Sequence, residues 1–288
     1  TYYWVGATGT SLSTQANWNT MADGTGTIRT NPPVTTDILI VDGDGFAAGG
    51  ATTINVDATS FSIGQLKVTS NTALTLQSSV ATTRTITITG GPGDDFVVEN
   101  GSSLSLNHAA NAVAFAFSGT GNTGNIAGTV NLAGSSSNLI TTTGGTGTLV
   151  TVTSTGVVNM GNTTISLVGT AATLSFLNGS NCNVSGATTG APPVPLATWE
   201  TTSNLTISGI TSSSAAPTNR LQSFGNLIYN CPLATGTMSF FTTSSAGAIK
   251  GDLIITAAGT ATGTGIFKAL TSGTLTVKVG GGGSSVSG

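Results

Sequence analysis

The sequence predicts an all-β chain wound as a right-handed parallel β-helix (a β-solenoid), with coils of about 22–28 residues and an N-terminal cap. A short glycine-led phrase returns at a nearly constant interval, apolar and polar residues alternate along many short segments, and no long segment has the pattern of an amphipathic helix. In a solenoid each coil buries its apolar face only by stacking on its neighbours. Right-handed coiling follows from the preferred hand of parallel crossover connections.

The phrase is a glycine with apolar residues two and four positions later, and after Gly101 and Gly179 one extra residue precedes the apolar pair. From Gly101 onward its anchors stand at positions 101, 128, 156, 179, 203, 225, 251 and 273, so the steps range from 22 residues (203 to 225) to 28 (128 to 156). Ser203 replaces glycine in one copy, and an earlier copy begins at Gly64. About ten such coils, stacked at a strand spacing of ~4.8 Å, predict a rod on the order of 50 Å long.

The apolar positions of the phrase are predicted to point inward and to stack into a core ladder, because side chains alternate between the two faces of a strand. The members of this ladder are Leu66, Val68, Leu104, Leu106, Val130, Leu132, Val158, Met160, Cys182, Val184, Leu205, Ile207, Leu227, Tyr229, Leu253, Ile255, Leu275 and Val277. Asn131, Asn159 and Asn183 recur at the outward position between them, where stacked amides can form a hydrogen-bonded ladder.

Three segments differ in pattern. Residues 1–57 are less regular and carry Trp4 and Trp18, which suit an N-terminal cap over the first coil. Residues 58–281 form the repetitive body, and residues 282–288 form a Gly/Ser tail that is flexible by composition. The start at Thr1, without a Met or a signal peptide, is typical of an exported chain whose signal peptide has been removed.

Composition excludes several classes of function. Charged residues are 6% of the chain, and the 7 Lys and Arg residues are scattered, so there is no basic patch to bind nucleic acid. No apolar run is long enough to span a membrane. Hydrophobic residues reach 38% and the mean hydropathy is +0.27, which argues against disorder.

The two cysteines are predicted to be free and buried. Cys182 and Cys231 both take inward positions but lie two coils apart, about 9–10 Å at the usual strand spacing. A disulfide requires Cα atoms within about 7 Å of each other, so these thiols are expected to act as small apolar side chains.

Two passages resemble large secreted surface proteins of Bacteroidetes. The opening Tyr2-Tyr-Trp-Val-Gly6, followed by Gln15-Ala-Asn-Trp18, is similar to the start of those proteins. The passages Ala197-Thr-Trp-Glu200 to Ile210 and Gln222-Ser-Phe-Gly-Asn-Leu-Ile-Tyr-Asn-Cys-Pro232 resemble phrases of their repeat regions. The resemblance implies an exported adhesin-like protein with a β-helical body, often a cargo of type IX secretion, and it brings no catalytic or binding residues.

Few residues are candidates for chemistry. Asp42 and Asp44 alternate with glycines, and Asp94 and Asp95 follow a glycine-rich turn, so both pairs are weak candidates for structural Ca²⁺. The single histidine, His108, is expected in a solvated turn rather than in catalysis. No metal or other cofactor is otherwise expected.

Trp199 is a candidate for stacking against a sugar ring, because the pattern leaves its orientation open. Ice binding would need outward Thr pairs in successive coils, and in the phrase only Thr274 and Thr276 form one. Other faces, such as the one carrying Thr85, Thr87 and Thr89, leave ice binding open.

These observations predict a non-catalytic extracellular structural protein of a bacterial cell surface, either a stalk or adhesin body or a self-assembling filament subunit. The expected partners are other copies of the chain, packed end to end or laterally, with glycans or cell surfaces as further possibilities. One alternative is a carbohydrate-binding or adhesive recognition module. Another is a polysaccharide-active β-helix enzyme, which would need clustered carboxylates beside Lys, Arg or His.

Overall fold

A computed structural model describes residues 1–43, 50–186, 190–211, 216–235, 238–241, 247–257 and 267–270. Within these ranges the chain is almost entirely strands and turns, and its one helix is a short 3-10 segment, Gln15–Asn17. The all-β prediction is confirmed.

The strands are short, as the alternation in the sequence predicts. They are β1 (Tyr2–Trp4), β2 (Thr10–Ser11), β3 (Trp18–Asn19), β4 (Ile38–Asp42), β5 (Ala51–Val56), β6 (Ser60–Ile63), β7 (Gln65–Thr69), β8 (Ala73–Ser78), β9 (Arg84–Ile88), β10 (Phe96–Val98), β11 (Ser103–Leu106), β12 (Val113–Phe117), β13 (Thr123–Ile126) and β14 (Thr129–Leu132). They continue with β15 (Leu139–Thr141), β16 (Leu149–Val152), β17 (Val157–Met160), β18 (Leu167–Val168), β19 (Leu174–Phe176), β20 (Asn181–Val184), β21 (Thr198–Trp199), β22 (Asn204–Ser208), β23 (Ser223–Phe224), β24 (Asn226–Asn230), β25 (Met238–Phe241), β26 (Ala248–Ile249), β27 (Leu253–Ala257) and β28 (Phe267–Leu270).

The described strands form three long sheets and two short ones. Sheet 1 is 9-stranded, in the order β21-β19-β16-β13-β10-β7-β4-β1-β3. Sheet 2 is 10-stranded, in the order β2-β5-β8-β11-β14-β17-β20-β22-β24-β27, and sheet 3 is 5-stranded, in the order β18-β15-β12-β9-β6. The pairs β23-β26 and β25-β28 form the two short sheets. Neighbours in each sheet come from successive turns of the chain and pair in parallel, except β1 with β3.

The chain visits the three sheets in a fixed order, for example β7 in sheet 1, β8 in sheet 2 and β9 in sheet 3. The structure is therefore a parallel β-solenoid of about 8 turns. The longest sheet among the described residues, sheet 2, has 10 strands, which compares with the predicted figure of about ten coils, while the other sheets have fewer.

Glycine permits the tight corners of these turns. Gly101 lies between β10 and β11 with φ +86, a left-handed conformation that other residues adopt at a cost. Gly128 packs against the preceding turn so closely that a Cβ there would overlap the carbonyl oxygens of Glu99 and Ser102. Glycine at the head of the phrase thus lets successive turns approach to strand-pairing distance.

The predicted ladder forms the core side of sheet 2. Leu104, Val130, Val158, Cys182, Leu205 and Leu227 pair in register from strand to strand, and all are buried. A second column lies two residues further along each strand, and its buried members are Leu106, Leu132, Met160, Val184, Ile207 and Tyr229.

The ladder prediction fails at two places. Leu66 and Val68 are buried but belong to sheet 1, so the Gly64 phrase lies on a different face from the others. Leu253 is only half-buried, and Ile255 is 48% exposed. Both are on β27, the last strand of sheet 2, which has a described neighbour on one side only and a register shift beside Tyr229. Leu275 and Val277 lie outside the described residues.

The N-terminal segment covers the edge of sheet 1. Strand β3 pairs antiparallel with β1, and the rings of Trp4 and Trp18 meet edge to face with centroids 5.1 Å apart. A buried ion pair, Arg29 with Asp37, holds the loop that precedes β4. Strands β4 and β5, from the segment predicted as a cap, already belong to sheets 1 and 2. The predicted tail, 282–288, lies outside the described residues.

Candidate binding surface

The outward side of sheet 2 carries two rows of uncharged side chains, which together we call the amide face. One row is Ala51, Ala73, Ser103, Thr129, Val157, Asn181, Asn204 and Asn226, and the other is Thr53, Thr75, Ser105, Asn131, Asn159, Asn183, Thr206 and Ile228. All are exposed or half-buried, whereas the residues between them on each strand are buried in the core.

Asparagine amides in the second row are hydrogen-bonded to one another along the solenoid axis. Nδ2 of Asn159 donates to Oδ1 of Asn131 at 2.8 Å, and Nδ2 of Asn183 donates to Oδ1 of Asn159 at 2.8 Å. Asn131 extends the series by donating to Oγ of Ser105 at 3.1 Å. The predicted amide ladder is confirmed.

A second ladder in the first row was not predicted. Nδ2 of Asn204 donates to Oδ1 of Asn181 at 3.0 Å, and Nδ2 of Asn226 donates to Oδ1 of Asn204 at 2.9 Å. Its signal was present in the sequence, since an Asn directly precedes the first core residue of three successive phrases.

The ladders leave a regular set of polar groups facing outward. A side-chain amide has two N–H donors and one carbonyl oxygen. Asn159 uses one N–H and its oxygen within the ladder, so one N–H remains for a partner. These groups recur at the strand spacing of about 4.8 Å and are held in place before any partner arrives.

Trp199 is not available for sugar stacking. Its side chain is fully buried, and its ring stacks on Phe176 with centroids 4.1 Å apart and an interplanar angle of 5°. Phe224 packs on its other side with centroids 5.6 Å apart. The sugar-platform prediction is wrong because Trp199 lies on a two-residue strand whose second position points inward.

One of the carboxylates suggested for Ca²⁺, Asp95, has other partners within the protein. Asp95 is buried, and it accepts hydrogen bonds from Nε2 of Gln65 at 2.9 Å and from the backbone N–H of Thr123 at 2.9 Å. Asp94 and Asp42 are half-buried, while Asp44 lies outside the described residues. Among the residues that the structure describes, no group of three or more His, Cys, Asp or Glu side chains is arranged to hold a metal ion.

His108 lies in a turn, as expected. Its Nδ1 accepts hydrogen bonds from the backbone N–H groups of Asn111, at 2.9 Å, and Ala110, at 3.2 Å. The imidazole therefore organises the turn that leads into β12.

The two thiols are free and buried, as predicted. Cys182 stands in the core ladder of β20, and Cys231 follows β24, two strands away in sheet 2. Burial raises the pKa of the Cys182 thiol. Burial also raises the pKa of the Cys231 thiol. The pKa of the Tyr229 hydroxyl is raised by burial and by the nearby Cys231. These groups stay protonated and neutral.

Comparison with known proteins identifies no relative: no family model, no curated protein and no solved structure matches the chain. Across the described ranges, no helix has the length and apolarity required to cross a bilayer. The fold and the amide face therefore carry the functional argument.

Proposed function

We propose that the protein is a non-catalytic structural component of a bacterial cell surface, a stalk or filament subunit that packs laterally against other copies through the amide face. The uncharged rows of that face are the observation that carries the proposal. On the strands from β5 to β24 neither row contains a charged side chain, and the first charge, Asp252, comes beside Asn226 at the edge of sheet 2. Two such faces therefore approach without electrostatic repulsion.

The order of the face supports this role. Ladder hydrogen bonds already fix the side chains of Asn131, Asn159 and Asn183, so association costs less side-chain entropy than for free surface side chains. A second copy presents the same donors and acceptors at the same spacing, which favours pairing in a fixed register. The scarcity of charge in the whole chain, 6% of residues, fits an extracellular protein that functions in dense assemblies.

A matched pair of charge substitutions tests the proposal. Thr129→Lys places a positive charge on the amide face, and Thr151→Lys places one on the outward side of sheet 1. Sedimentation velocity over a concentration series should show assembly of the wild type and of Thr151→Lys, and loss of assembly in Thr129→Lys. Equal behaviour of the two variants would refute a role for the amide face.

The alternative is an adhesive module for an uncharged polysaccharide, which the same face supports through its outward N–H and hydroxyl groups at regular spacing. Co-sedimentation with insoluble cellulose, chitin and β-glucan distinguishes the two. Retention that Thr129→Lys abolishes and Thr151→Lys preserves would favour the polysaccharide. Assembly without retention would favour the structural role.

A further inference from the structure

Two corners of the solenoid carry the same tripeptide in different surroundings. Asn100-Gly101-Ser102 connects β10 to β11, and Asn178-Gly179-Ser180 connects β19 to β20. Both corners pass from sheet 1 to sheet 2. In each the glycine has φ +86, the asparagine is exposed and the serine is buried. The local chemistry of the two sites is therefore the same.

The next turn protects only the second site. Oδ1 of Asn178 accepts hydrogen bonds from the backbone N–H of Thr202 at 2.8 Å and from its hydroxyl at 3.0 Å. The backbone N–H of Gly179 donates to the carbonyl oxygen of Thr202 at 3.1 Å. Both the side-chain amide and the following nitrogen are thus occupied.

The first site lacks this cover because the next corner is shorter. Strand β13 ends at Ile126 and β14 begins at Thr129, so only Ala127 and Gly128 connect them, and no residue takes the position that Thr202 has above Asn178. Within the described residues, neither the Asn100 side chain nor the Gly101 nitrogen has a hydrogen-bond partner.

We propose that Asn100 is a site of spontaneous deamidation in the folded protein, and that Asn178 is protected from it. The nitrogen of Gly101 attacks Cγ of Asn100, the new N–C bond forms and ammonia leaves, which produces a five-membered succinimide. Water then opens the ring to aspartate or isoaspartate. No oxidant or cofactor is required, and glycine favours the attack because it has no side chain to obstruct it.

The modification would alter a defined corner. It adds a carboxylate next to Glu99, whose Oε2 accepts a hydrogen bond from the backbone N–H of Ser70 at 2.7 Å. Isoaspartate also lengthens the backbone by one carbon before Gly101, and the next residue, Ser102, accepts a hydrogen bond at its Oγ from the N–H of Thr72 at 3.2 Å. The pairing between β8 and β11 therefore loosens at its start as the protein ages.

Peptide mapping by mass spectrometry, after incubation in mildly alkaline buffer at body temperature, tests the proposal. The native protein should convert Asn100 at least about tenfold faster than Asn178, since the protecting hydrogen bonds must break first at Asn178. In urea-unfolded protein the two rates should become similar, because the tripeptides are identical. Equal native rates, or faster conversion at Asn178, would overturn the proposal.

Two variants provide controls. Asn100→Ser should abolish the product at that corner and leave the slow conversion of Asn178 unchanged. Thr202→Val removes one of the two hydrogen bonds to Oδ1 of Asn178 and should accelerate conversion there while leaving Asn100 unaffected. A Thr202→Val protein that stays folded by circular dichroism, yet converts Asn178 no faster, would contradict the protective role assigned to Thr202.

Discussion

Oε1 of Gln222 accepts a hydrogen bond from the indole Nε1 of Trp199 at 3.0 Å. The same oxygen accepts a hydrogen bond from the backbone N–H of Ala197 at 3.1 Å. Nε2 of Gln222 donates to the carbonyl oxygens of Pro195, at 2.9 Å, and Asn219, at 2.7 Å. One side-chain amide thus joins Pro195, Ala197 and Trp199 to the turn at Asn219.

Replacing Gln222 should destabilise the fold more than its surface position suggests. Gln222→Leu leaves the buried indole N–H of Trp199 without an acceptor, and we expect a loss of about 2–3 kcal/mol in urea unfolding. Trp199→Phe removes this unsatisfied donor. Trp199→Phe should therefore lower the free energy of unfolding less in the Gln222→Leu protein than in the wild type. The neighbouring Leu221, 56% exposed, is the control, and Leu221→Ser should be nearly neutral.

The asparagine ladder should contribute measurably to stability. Asn159→Ala removes the hydrogen bonds to Asn131 and Asn183, so we expect the free energy of unfolding to fall by about 1 kcal/mol. This is a low value for two hydrogen bonds, because the side chains of this row are partly exposed. Asn125 is the matched control, since it lies on the outward side of sheet 1 and its amide has no partner among the described residues. Similar losses for Asn159→Ala and Asn125→Ala would mean that the ladder adds nothing.

The buried thiols should resist alkylation until the protein unfolds. Burial raises the pKa of Cys182, so the reactive thiolate is scarce in the folded state. We expect iodoacetamide to modify both cysteines at least about 100-fold more slowly in native than in unfolded protein. Fast labelling of Cys182 under native conditions would show that the core ladder opens there.

The raised pKa of the Cys182 thiol also predicts that the stability of the fold depends on pH. The folded thiol stays protonated, while the unfolded thiol ionises near its ordinary pKa of about 8.5. The unfolded state therefore binds fewer protons above that pH, and stability should fall as pH rises through and beyond it. In denaturant titrations at a series of alkaline pH values, Cys182→Val should lose less stability per pH unit than the wild type. An equal loss in the two proteins would mean that other groups cause the pH dependence.

The N-terminal ion pair should be strongly coupled. Arg29 Nη1 donates to Oδ1 of Asp37 at 2.8 Å, Nη2 lies 2.7 Å from Oδ2, and both side chains are buried. Asp37→Asn leaves the guanidinium buried without its counter-charge, so we expect a loss of about 3 kcal/mol. In a double-mutant cycle with Arg29→Met, the combined loss should be clearly smaller than the sum of the single losses. Simple additivity would contradict the coupling.

The sequence predicts the repeating core well, because period-two alternation and a recurring glycine both follow from how strands stack. It does not reveal which face a copy of the phrase occupies. The Gly64 phrase resembles the others, yet its strand lies in sheet 1, because a glycine corner followed by two inward apolar residues suits a strand on any face of the solenoid.

The orientation of Trp199 could not be predicted for a different reason. Its strand has two residues, too few for alternation to be informative. The residues that bury it, such as Phe176 and Phe224, come from the turns before and after. Gln222 was missed in the same way, since Pro195, Ala197 and Trp199, three of its four partners, lie more than twenty positions away in the chain.

Electron microscopy of the native protein over a concentration series tests the central claim most directly. If the amide face joins copies laterally, the particles should combine into ordered assemblies with a constant side-to-side spacing, in a fraction that grows with concentration. Isolated single solenoids at every concentration would contradict a self-assembling structural role.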